Sequence, residues 1–164
     1  MNMITAALGP ALHPGIVPLQ QLDLAPVRAM LMLEAPTGLG WDESTALEAE
    51  LHYRQFLEIN LMRTVERPVP SRLADQFWHA HILDTRRYRE DCERVFGYFL
   101  DHAPGFGANG DEDERDRAYE ETVVAGVAIF GGDHKRSAAM CGSSSPLISS
   151  ECLKPAMCGS SLPV

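Results

Sequence analysis

Asp75-Gln76-Phe77-Trp78-His79-Ala80-His81-Ile82-Leu83-Asp84-Thr85 is the stretch on which the fold turns. Ser71 is placed to cap a helix beginning at Arg72, which carries the Trp78-His79 segment. Asp84 or Thr85 caps the next, where Tyr88, Cys92, Val95 and Phe96 recur at i, i+4, i+7 and i+8. Gly97 at C′ closes that helix. Upstream, Pro68 and Pro70 are expected to end a longer helix that starts behind the N-cap Asp42. Its apolar stripe is Ala46, Ala49, Tyr53, Phe56, Leu57 and Leu61, with Arg54 assigned to a solvated face ahead of pairing with Asp75 or with the acidic final helix. A short apolar helix from Pro26 to about Glu34 precedes it and is broken by Pro36, Gly38 and Gly40.

Downstream, the connection from Tyr98 to Asn109 is apolar and aromatic enough to pack down although it is loop. The acids from Asp111 to Glu114 suit the positive end of a helix dipole and open a final helix. Tyr119, Thr122, Val123, Gly126, Val127 and Phe130 form its stripe, and Gly131-Gly132 stop it. No alternating strand pattern of useful length is present. The expected fold is therefore an all-α bundle of four to five helices over residues 18–132, between a flexible arm (1–17) and a disordered tail (133–164).

A chain of 164 residues, 45% of them apolar, has room for one core. Its net charge of −9 repels a phosphate backbone, so nucleic acid and anionic membrane are excluded as expected partners, whereas a protein or peptide partner is compatible. No secretory signal and no run of 18 apolar residues can be read, which places the expected location in the cytoplasm. No C-x-x-C pair occurs, in keeping with a reducing compartment. In the tail, Ala139-Met140-Cys141-Gly142-Ser143-Ser144-Ser145-Pro146 returns as Ala156-Met157-Cys158-Gly159-Ser160-Ser161-Leu162-Pro163. Such Ser, Gly and Pro content cannot offset the entropy of ordering the chain. Two functions are open to this repeat: soft-metal binding by Cys141, Cys152 and Cys158, or service as a precursor segment whose Cys and Ser side chains are enzymatically modified.

From Glu48 to about Gly107 the chain resembles the glycine-rich domain-containing-protein-like proteins of plants and bacteria. The resemblance rests on Tyr53-Arg54-Gln55-Phe56-Leu57, Pro70-Ser71, Asp75-x-x-Trp78-His79-x-His81-Ile82-Leu83-x-Thr85-x-x-Tyr88 and Cys92-x-x-x-Phe96-Gly97, with His102 and Pro104 beyond. It implies a domain type rather than an activity. Bacterial relatives in that family often end in Cys/Gly-rich tails, whereas the tail here is Cys/Ser/Gly/Pro.

Helical phase sorts the chemistry. At about 100° per residue, Asp75 and His79 share a face while His79 and His81 lie about 200° apart, so one ion cannot take both histidines. Asp75, His79 and His102, the last folded back from the loop, would give one carboxylate and two imidazoles, a shell suited to Zn²⁺ or Fe²⁺ with positions left open. His81 shares a stripe with Trp78 and Thr85 and can approach Tyr88 and Cys92, where an imidazole would lower the thiol pKa and create a nucleophile. Against both stands packing alone: Asp75 accepting from the His79 ring, and Cys92 acting as a small hydrophobe. The expected function is thus a non-enzymatic binding or interaction module that can hold a metal. Its alternatives are a metal-dependent enzyme on the Asp/His/His site and a precursor with a modified tail.

Overall fold

A computed structural model of the protein describes residues 13–131. Six α-helices and no strands occur among them: α1 (Ile16–Gln20), α2 (Ala25–Met32), α3 (Glu43–Met62), α4 (Arg72–Leu83), α5 (Thr85–Phe96) and α6 (Glu112–Phe130). The all-α reading stands, and the additional helix is the short α1. The tail repeat with Cys141, Cys152 and Cys158 lies outside the described residues. None of the described helices is long and apolar enough to cross a membrane.

Local signals set most boundaries. Asp42 accepts from the Thr45 backbone N–H at 2.8 Å and starts α3, and Ser71 accepts from Ala74 to start α4. Asp84 rather than Thr85 caps α5, accepting from Arg87, and Gly97 ends it in the left-handed conformation at φ 73°. The end of α3 departs from expectation. The helix stops at Met62, well before Pro68, because Arg63 turns left-handed (φ 50°) and the chain goes on to bury Val65 and Val69.

Helix α3 is the centre of the bundle and packs against α1, α2, α4 and α6. Its expected stripe is the core: Ala46, Ala49, Tyr53, Phe56, Leu57 and Leu61 are all buried, facing Phe77 and Trp78 of α4 and Tyr88 and Val95 of α5. Burial of so many large apolar side chains is the main favourable contribution to the fold.

Two expectations are corrected here. Within the segment assigned to a flexible arm, two residues pack: Ile16 is buried in α1, and Gly15 lies so close to α5 and α3 that a Cβ there would stand 2.2 Å from the Val95 carbonyl oxygen. Arg54, assigned to a solvated face, is a clamp. It pairs with Glu50 at 2.9 Å and donates to the backbone oxygens of Leu19 and Leu22 at 3.0 and 2.8 Å. Those carbonyls lie at and just beyond the end of α1, so an arginine on α3 supplies the donors that a short helix cannot supply for itself.

His52, on α3, is buried beside the α4 cap, its Nδ1 3.3 Å from Ser71 Oγ. Burial lowers its pKa, and the Glu48 carboxylate opposes that shift only in part. The folded state therefore resists protonating His52 more than the unfolded chain does. Stability from this group is full above the unfolded value of about 6.5 and is lost as pH falls through the depressed folded value. His52→Gln is expected to flatten the decline in urea midpoint over that window, and an unaltered slope would remove His52 as its source.

Candidate metal centre

Asp75 lies in the first turn of α4 and His79 one turn later, on the same face. The third residue comes from the loop between α5 and α6. A chain of hydrogen bonds pins that loop: Trp78 Nε1 donates to Tyr88 Oη at 2.8 Å, and Tyr88 Oη donates to the Leu100 carbonyl at 2.5 Å. Two residues further, the His102 ring packs edge-on against Trp78 with centroids 4.5 Å apart. Its Nε2 stands 3.1 Å from Asp75 Oδ1, and its ring centroid is 4.5 Å from that of His79. His79 Nδ1 is 3.9 Å from Asp75 Oδ2.

One ligand atom from each of Asp75, His79 and His102 lies within 4.8 Å of the other two. Around a tetrahedral Zn²⁺ with bonds of about 2.0–2.2 Å, neighbouring ligand atoms are about 3.4 Å apart. Only ångström-scale side-chain rotation separates the observed arrangement from that geometry. The His102 side chain is 15% exposed and so held, whereas His79 at 52% is free to adjust.

A cleft of about 620 Å³ opens beside the cluster. Phe56, Trp78 and Phe106 contribute aromatic wall, and Arg67, Arg72 and Arg115 contribute cations. Arg67 lies 3.8 Å over the Phe106 ring and pairs with Glu114 at 3.0 Å, which ties the loop to α6. The stem of Arg115 crosses Gly107, where a Cβ would meet Arg115 Cδ at 2.3 Å; with φ at 88°, only glycine suits this crossing.

The remaining motif residues are structural. His81 points the other way, as its phase requires, and is 1% exposed. Its Nδ1 is 3.0 Å from Tyr53 Oη, and its Nε2 approaches Asp91 Oδ2 to 3.2 Å without hydrogen-bond alignment. Burial acts to raise the Asp91 carboxyl, but pairing with His81 and Arg94 outweighs it and holds the pKa below the ordinary carboxylate value. Tyr53 is pushed well up, chiefly by burial. Cys92 is buried, and desolvation raises its thiol pKa above the ordinary value, so it stays protonated at neutral pH and the nucleophile reading loses its chemical basis. Thr85 is exposed in the first turn of α5, away from the cleft lining.

Sequence reading assigns Asp75, His79 and His102 but misses the cleft's arginines. For Arg72 a signal exists, since it precedes Asp75 by three and His79 by seven residues on one helical stripe. For Arg115 there is none. Among known proteins, the family model UCP032817-like matches residues 37–118, a span holding all of α3 to α5 and the three clustered residues. No curated protein and no solved structure matches the chain.

Proposed function

The chain belongs to the UCP032817-like family, and on the geometry of its cleft we propose that the domain is a metal-binding module taking one Zn²⁺ or Fe²⁺ on Asp75, His79 and His102. The convergence of these three side chains from α4 and a distant loop carries the proposal. Packing alone accounts for the Asp75–His102 contact. Helical phase accounts for His79 beside Asp75, and the metal reading is supported by all three side chains offering ligand atoms to one point at the edge of a cleft. Three protein ligands leave coordination positions open, and they face a cleft rather than bulk protein. That opening favours a second reading, in which the ion assists chemistry on a molecule bound there.

Calorimetric titration of the metal-free protein with Zn²⁺ tests the site. One equivalent is expected to bind. His79→Ala or His102→Ala is expected to weaken binding by more than the roughly 10–100-fold typical of losing an outer-shell partner. Equal affinity in wild type and both variants would move the metal elsewhere or remove it altogether.

A further inference from the structure

The cleft differs in charge from the chain around it. The protein carries a net charge of −9, yet Arg67, Arg72 and Arg115 balance Glu66, Asp75 and Asp101 in the cleft lining, so its walls are neutral. A divalent ion on Asp75, His79 and His102 would leave the cleft two positive charges in excess. In a recess partly shielded from water, an anion relieves that excess.

The three arginines are not equivalent. Arg67 is committed to Glu114 and Phe106, and Arg115 pairs with Asp116 at 2.8 Å. The Arg72 side chain makes no hydrogen bond or ion pair among the described residues. It stands one turn before Asp75, at a spacing where Cβ atoms are about 5–6 Å apart, and within about 20° of His79 around the helix. Its guanidinium can therefore reach toward the open side of the ion. Resting on the metal reading above, we propose that the cleft binds a small organic carboxylate, its oxyanion shared between the metal and Arg72 and its apolar body against the half-buried rings of Phe106 and Tyr119. One unengaged guanidinium offers a single planar fork, which matches a carboxylate in two parallel hydrogen bonds. Pro68, Val69, Pro104 and Phe106 give that part of the lining an apolar surface, and the Trp78 N–H behind it is already committed to Tyr88.

The test uses the full chain loaded with Zn²⁺ and titrated calorimetrically with benzoate, benzamide and inorganic phosphate. Benzoate is expected to bind more tightly than either of the others. Arg72→Met is expected to weaken benzoate about tenfold or more, the loss of one charge-assisted pair, and Arg72→Lys to recover part of it. Zn²⁺ affinity itself is expected to be no weaker in either variant than in the wild type, because removing a nearby cation does not disfavour a bound cation. Benzoate binding that ignores Arg72 while Zn²⁺ still binds overturns this proposal alone. Phosphate binding more tightly than benzoate overturns the carboxylate class. Failure of Zn²⁺ to bind overturns the metal reading and this proposal with it.

Discussion

Trp78→Ala is expected to cost about 3–5 kcal/mol of stability, the range for truncating a large buried aromatic side chain. Trp78 is buried at 5% exposure, packs on Phe56 with ring centroids 4.9 Å apart, and donates to Tyr88 Oη. Truncation removes apolar contact, leaves a void between α3 and α4, and strips the Tyr88 oxygen of its donor. The same ring braces His102, so any folded fraction is expected to bind metal more weakly as well. Trp78→Phe keeps much of the packing but loses the hydrogen bond and some ring volume, and is expected to cost less than the alanine change, about 1–3 kcal/mol. Urea denaturation of both variants is the measurement. A shift below about 1 kcal/mol for the alanine variant would mean that the ring is not the wedge the packing describes.

Asp91→Ala is expected to cost about 3 kcal/mol, because it removes the anion beside a histidine that is itself almost wholly buried. Arg94, half exposed, can turn to water; His81 cannot. Acid titration gives an independent signature. The folded pKa of Asp91 lies below its ordinary value, so its stabilising contribution is complete above the unfolded value of about 3.9 and is lost as pH falls through the folded one. The gap in stability between wild type and Asp91→Asn is therefore expected to be widest near neutrality and to narrow in acid below about pH 4. A gap that stays constant across that range would show that the carboxylate charge is not what matters there. This window lies below the one assigned to His52, so the two groups can be told apart in a single pH series.

The parts of the fold that rest on local physics are legible in the amino-acid sequence. Capping by Asp42 and Ser71, the glycine stop at Gly97, and the α3 stripe through Tyr53 and Phe56 each depend on residues within a few positions of one another. Helical phase likewise separates His79 from His81, because 100° per residue is a property of the backbone and not of the tertiary contacts. It also puts Asp75 beside His79. The same reasoning misjudges Arg54, since an arginine on a half-polar helix face looks solvated until a distant segment presents carbonyls to it. It misjudges the end of α3 too, where a left-handed Arg63 acts before either proline.

Sequence by itself determined the class of fold, the helical core and two of the three clustered residues, all through periodicity, capping and composition. Tertiary structure alone decided whether His102 joins them. The loop carrying it has no period to read, and its path is set by Tyr88 donating to the Leu100 carbonyl, by His102 packing on Trp78 and by Arg67 stacking on Phe106. Two of those contacts bring together residues more than twenty positions apart in sequence, and only closure of the bundle around α3 can bring them within reach.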